Sequence, residues 1–142
     1  MTDARGTPLG VTLTGGQKDD STQFEAAMAA ARFPSRPGPR RPSRIGGDKG
    51  YSASRIRLWI GRREIDALIP YRSGQTRQAA DDGREFDREA YRGRNVIERC
   101  VGWLKRARRI ATRFEKLALS FLAMLQLAIL GRYLRIAFRN TT

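Results

Sequence analysis

The chain has 142 residues, room for about one domain, and its 28 Lys+Arg against 14 Asp+Glu give a formal net charge of +14, which directs attention to polyanionic partners. With 40% hydrophobic residues it has the means to bury a core. A single cysteine, Cys100, and no histidine exclude a disulfide framework, a Cys-rich zinc site, His-ligated metals and every His-dependent triad, so enzymatic chemistry here would rest on carboxylates and a hard, oxygen-preferring cation.

In chain order, Arg5-Gly6-Thr7-Pro8 is a turn signal, and Leu9 to Thr14 alternates apolar and small residues with a period of two, predicting a strand with Met1 to Ala4 as its neighbour. Ser21 is placed to cap a helix over Thr22 to Arg32. Residues 33–44 hold four prolines and four arginines and read as an extended linker. Arg44-Ile45-Gly46-Gly47 then approaches Asp48, and Ser52 is positioned to cap a helix running to about Arg63. Ile65 to Ile69, an apolar run closed by Pro70, predicts a buried strand. Tyr71 to Glu85 is polar and loop-like. Two helical stretches close the chain, about Asp87 to Arg109 and Lys116 to Phe138. Strands alternating with helices predict an α/β layer fold.

The Leu117 to Leu130 stretch, interrupted by Ser120 and Gln126, falls short of the ~20 apolar residues that cross a bilayer and reads as a buried helix. Met1 to Gly10 has no apolar core of signal-peptide length. No membrane partner and a cytoplasmic location are the expectation.

Charge is concentrated. Tyr91 to Lys116 carries nine basic and two acidic residues, net +7, half the total in 26 residues. On a helical wheel Tyr91, Arg94, Glu98 and Lys105 project within about 60° of one another, opposite Ile97, Cys100, Trp103 and Leu104. Arg92, Arg99 and Arg106 repeat every seven residues beside them. A carboxylate among so many cations suits a metal ligand flanked by phosphate-binding groups. A solvated basic helix with an Arg94–Glu98 i,i+4 pair accounts for the same pattern. Asp48, in Gly47-Asp48-Lys49-Gly50-Tyr51, follows a strand and precedes a helix, where open α/β sheets bind ligands. Asp19-Asp20 and Asp81-Asp82 read as solvated turns.

These features together resemble the C-terminal part of bacterial insertion-sequence transposases of the DDE type. Three stretches carry the likeness: Gly6-Thr7-Pro8-Leu9 through Asp20-Ser21-Thr22-Gln23; the Asp48-Lys49-Gly50-Tyr51 box; and Tyr91, Arg94, Glu98 and Lys105 at the spacing Tyr-x2-Arg-x3-Glu-x6-Lys. Arg94-Asn95-Val96-Ile97-Glu98-Arg99 and Arg109 to Lys116 add to it. The resemblance implies a partial catalytic domain over residues 1–142, with an RNase H-like mixed sheet flanked by helices but lacking its first strand. It implies Asp48 and Glu98 as the second and third catalytic, metal-holding acids, with two Mg2+ (or Mn2+) ions as cofactor. Tyr91, Arg94, Lys105, Arg99 and Arg106 are the implied DNA contacts. Double-stranded DNA, an upstream transposase segment carrying the first aspartate, and a homo-oligomer are the implied partners. Three departures accompany it: no first aspartate, since Asp3 matches a turn position; Gly46-Gly47 where apolar strand residues are usual; and Lys18 before Asp19-Asp20. A truncated, non-catalytic DNA-binding remnant is the alternative.

Overall fold

The computed structural model describes residues 1–33, 41–75 and 86–139. The Asp81-Asp82 pair and most of the proline-arginine linker lie outside the described residues. Arg44–Gly46 (β1) and Asp66–Leu68 (β2) pair in parallel, in the register Arg44↔Asp66, Ile45↔Ala67, Gly46↔Leu68. Parallel strands need a crossover, and Ser54–Gly61 (α2) supplies it. Ile56 and Ile60 lie one turn apart on α2 and are buried with Ile65 and Ile69, which bracket β2. Phe24 and Met28 of Phe24–Ala30 (α1) complete this cluster, with the Phe24 ring edge-on to Trp59 at 5.2 Å. Each such side chain contributes about 1.5–3 kcal/mol on burial, so these six anchor this part of the chain. Arg44 extends from the start of β1 to Asp66 at 2.6 Å and to Asp87 at 3.6 Å, so the last residue of the expected linker is strand, not spacer.

Three expectations about the first half of the chain change. Leu9 to Thr14 is not a strand. A strand exists through its ladder, and the Met1–Gly10 arm folds on itself instead: Thr2 and Pro8 form an isolated antiparallel bridge, and Leu9 N–H bonds the Met1 carbonyl. The Leu9 carbonyl then accepts from Arg32 N–H at 2.8 Å, docking the arm on the end of α1. The turn signal holds: Asp3 Oδ1 accepts from Arg5 N–H and Thr7 N–H, and Gly6 has φ +78°, which favours glycine. The first helix is capped by Asp19 rather than Ser21, through a 3-10 turn at Asp20–Gln23 that leads into α1. Ser52 does not cap α2; it is buried, its hydroxyl donating to Gln75 and lying within reach of Arg57.

The expected long helix from Asp87 to Arg109 is broken into pieces: Arg88–Arg92 (α3), a 3-10 turn at Gly93–Asn95, Val96–Leu104 (α4), and Arg108–Ala111 (α5). Gly93 and Asn95 are weak helix formers, and the cations Lys105, Arg106, Arg108 and Arg109 crowd the second break. Of the apolar residues opposite the Tyr91 face, Cys100 is buried, and Ile97, Trp103 and Leu104 are half-buried. The neighbours of α4 are the Met1–Gly10 arm and the last helix, Ala118–Arg139 (α6): Gly6 lies against Val96, and Arg132 lies over Trp103.

α6 is the largest correction. It is long and apolar enough to cross a membrane by length and composition alone, whereas its sequence predicts a buried helix. Leu125 is buried, but Leu119, Leu127, Leu130, Leu134, Ile136 and Phe138 are exposed. The cluster around Ile56 and Ile60 contains no residue of α4, α5 or α6, so nothing in it reaches the outer face of this helix.

Candidate functional site

Asp48 sits just past the C-terminal end of β1. Its Oδ1 accepts the Gly50 N–H at 2.8 Å and caps the 3-10 turn Lys49–Tyr51. A Cβ on residue 50 would lie 2.8 Å from that oxygen, so a larger residue there would make the carboxylate shift. Behind the turn, Arg72 donates through Nε to the Lys49 carbonyl at 2.9 Å and through a terminal nitrogen to the Gly50 carbonyl at 3.1 Å. Gln75 accepts from Arg72 N–H and from the Ser52 hydroxyl. Arg57, buried, donates to the Ile69 carbonyl at 2.8 Å and stacks on the Tyr71 ring at 3.6 Å. The Asp48 loop is thus held by residues from the loop after β2. That support was invisible in sequence, because nothing local links Arg72 or Gln75 to Asp48.

The structure also brings a second acidic pair near Asp48. The 3-10 turn at Asp20–Gln23 packs against Lys49–Tyr51. Burial, then the charges of Asp20, Asp48 and Asp19, push the Tyr51 hydroxyl up from its ordinary value. The Asp19 carboxyl is held below the usual carboxylate range, first by hydrogen bonds from Ser21 and more weakly by Arg72 and Arg55. Asp19-Asp20 is therefore a capped turn, as expected, but its position beside the Asp48 loop was not.

Glu98 lies in the first turn of α4, exposed, its side chain 67% accessible. Its Oε1 accepts from Arg94 at 3.2 Å, the i,i+4 pair expected of a basic helix. The Arg94 guanidinium in turn lies 5.4 Å from the Tyr91 ring centroid, and Tyr91 packs against Phe86 at 5.2 Å. Tyr91, Arg94 and Glu98 thus form one continuous line, although the 3-10 turn interrupts the helix between them. Asp87, whose Oδ1 accepts the Ala90 N–H at 2.8 Å, starts that line. Lys105 is the C-terminal cap of α4, exposed, and Arg99 and Arg106 are exposed beside it.

The two predicted acids keep separate partners, Asp48 the Gly50 amide and Glu98 the Arg94 guanidinium. Among the described residues no group of three or more His, Cys, Asp or Glu gathers at metal-binding spacing. The donor set fits a hard cation by chemistry, since each acid is an exposed carboxylate with one of its oxygens engaged.

A family model described as "Transposase DDE domain" matches residues 1–130. The chain belongs to the DDE transposase family. A protein of Burkholderia cepacia named as the transposase for insertion sequence element IS402 is 35% identical over 123 residues, which cover 83% of this chain and 53% of that protein. This transposase chain therefore spans about half the length of the curated relative it matches. No solved structure matches it. The matched region takes in the Asp48 loop, the Tyr91–Arg94–Glu98 line and the first thirteen residues of α6.

Proposed function

We propose that this chain supplies the second and third acids and most of the DNA-contacting cations of an insertion-sequence transposase that cleaves and joins DNA strands. The observation that carries the reading is the Tyr91–Arg94–Glu98 line, with Lys105 one turn past the next, inside a chain of the DDE transposase family. Asp48 and Glu98 are the proposed ligands of a divalent-metal pair, Mg2+ or Mn2+, in a catalytic domain of RNase H-like type spanning residues 1–142. When bound, such a pair activates the attacking hydroxyl and stabilises the leaving oxygen. The chain's own residues bind and orient: Arg94, Lys105, Arg99 and Arg106 offer cations to phosphates, and Tyr91 props Arg94 from behind. Double-stranded DNA is the proposed substrate, which places the work in the bacterial cytoplasm.

Two carboxylates do not make a bridged two-metal site, because Mg2+ keeps several waters and demands near-octahedral geometry. We therefore assign the first acid to upstream transposase sequence, on the same polypeptide or a second one, acting with this chain in an assembly of more than one copy. Plasmid and transposon-end cleavage in Mg2+ or Mn2+ tests this. The expected result is no cleavage by the 142-residue chain alone, and cleavage when an upstream transposase segment is supplied. Metal-dependent cleavage by the chain alone, lost in Asp48→Ala or Glu98→Ala, would show that another acid completes the site. The second reading, a non-catalytic DNA-binding remnant, draws support from the absence of a three-acid group among the described residues. It predicts DNA binding with no cleavage under either condition.

A further inference from the structure

The peptide unit between Lys49 and Gly50 is held at both ends. Its N–H donates to Asp48 Oδ1 at 2.8 Å, and its carbonyl accepts from Arg72 Nε at 2.9 Å. A peptide unit is planar and trans, so its N–H and C=O point in opposite directions and turn together. Fixing the carbonyl therefore fixes the direction from which the amide meets the carboxylate. A second bond, from a terminal nitrogen of Arg72 to the Gly50 carbonyl at 3.1 Å, sets the next peptide unit as well. A planar guanidinium fork matches two successive carbonyls, whereas an ammonium is a point charge. Arg72 is itself anchored. Gln75 N–H donates to the Arg72 carbonyl at 3.1 Å, and the Gln75 side chain accepts from Arg72 N–H at 3.0 Å and from the hydroxyl of Ser52. Ser52 is buried and ends the Asp48 turn, so the clamp is seated on the turn that it holds.

We propose that Arg72 is a positioning residue for Asp48, acting through this peptide unit, and that it is not one of the cations that hold DNA. The proposal rests on the reading of Asp48 as a metal ligand. By charge and exposure Arg72 would count as one more phosphate contact in a +14 chain. Its geometry commits it elsewhere, because the fork that would grip a phosphate is spent on the Lys49 and Gly50 carbonyls. A cation at the carbonyl end also polarises the peptide unit, which makes its N–H a stronger donor to Asp48. The consequence falls on the carboxylate. Oδ1 is tied to the Gly50 amide, and among the described residues Oδ2 accepts no hydrogen bond, so Oδ2 is the oxygen left for a hard cation. Groups that hydrogen-bond a metal ligand into place are typically worth about 10- to 100-fold in metal affinity, and Arg72 stands one peptide unit further out.

Titration of the 15N-labelled chain with Mn2+ tests the proposal, because the paramagnetic ion broadens amide signals near its site even when it binds weakly. The variant is Arg72→Lys, which keeps the charge and removes the fork. In the unaltered chain Mn2+ should broaden the Gly50 signal, and in Asp48→Asn it should not. Arg72→Lys should need about tenfold more Mn2+ for the same broadening. Its α2 amide shifts should stay unchanged, since Arg72 lies outside the cluster around Ile56 and Ile60. The slope of log DNA affinity against log salt should also stay unchanged, since no phosphate contact is lost. An unchanged Mn2+ titration in Arg72→Lys, while Asp48→Asn abolishes the broadening, overturns the proposal and leaves the metal reading of Asp48 intact. A salt slope reduced by about one with an unchanged titration would make Arg72 a phosphate contact and overturns it too. Broadening that persists in Asp48→Asn would belong to the neighbouring Asp19-Asp20 turn, and the metal reading of Asp48 would fall together with the proposal.

Discussion

Gly50 and Arg94 show how much of each proposed acid's geometry hangs on one neighbour. At position 50 a methyl group would meet Asp48 Oδ1 at 2.8 Å, so Gly50→Ala makes this exposed carboxylate swing aside. The cap is then weakened, and Gly50→Ala should lower stability by no more than about 1 kcal/mol, the usual worth of such a cap, measured by urea unfolding. Arg94 makes the contrasting case. Its pair with Glu98 is largely solvated, and exposed pairs of this kind contribute about 0.3–0.5 kcal/mol. Arg94→Ala should therefore leave the urea midpoint nearly unchanged. It should weaken duplex DNA binding and reduce the slope of log affinity against log salt by about one, the loss of one phosphate contact. A large stability loss with an unchanged salt slope would make Arg94 structural.

At the scale of elements, α4 is seated by its contact with the Met1–Gly10 arm and α6, and Cys100 reports on that seat. Cys100 is 3% exposed, and burial pushes its thiol up from the ordinary value, outweighing the opposing pull of Arg132. A raised folded-state value means that the neutral thiol is favoured by the fold. This contribution is fully present below the unfolded value of 9.0 and is lost as pH rises through the folded value. Melting temperature should thus fall more steeply above pH 9.0 in the unaltered chain than in Cys100→Ala, and a parallel decline would show that the thiol is not coupled to folding. The same elements show what sequence reveals. Ile65 to Ile69 was legible as a buried strand because an apolar run closed by Pro70 has few other uses. The Arg94–Glu98 pair was legible because four-residue spacing on a helix is local. Leu9 to Thr14 misled, since alternation marks a strand only when a ladder partner exists elsewhere. Neither the break at Gly93–Asn95 nor the bracing of Asp48 by Arg72 and Gln75 was legible. The first turns on three residues in a longer helical pattern, and the second joins positions 22 or more residues apart. α6 was read as buried because its composition is that of a core helix, and composition does not say whether the chain itself provides the cover.

For the whole molecule the governing quantity is charge. A net charge of +14 on 142 residues opposes compaction by self-repulsion, and half of it lies between Tyr91 and Lys116, on helices α3 to α5 and the turns between and after them. Within that stretch the ion pairs Arg94–Glu98 and Arg109–Glu115 offset only two of nine cations, and most of the others are exposed. The proposed substrate is the natural counterion. Duplex DNA brought against this surface would release condensed cations, so affinity should fall linearly in log–log form as salt rises. If five to seven cations engage phosphates, the slope should be about −4.5 to −6, since each contributes about −0.9 on B-form DNA. Arg99→Ala/Arg106→Ala should reduce the magnitude of that slope by nearly two, whereas Asp48→Ala, which alters no cation, should leave it unchanged while removing whatever cleavage an upstream segment restores. Filter binding or fluorescence anisotropy across a tenfold range of KCl reads both effects. Affinity indifferent to salt would mean that DNA is not held by this basic surface, and the DNA-contact reading of Tyr91, Arg94 and Lys105 would fall with it.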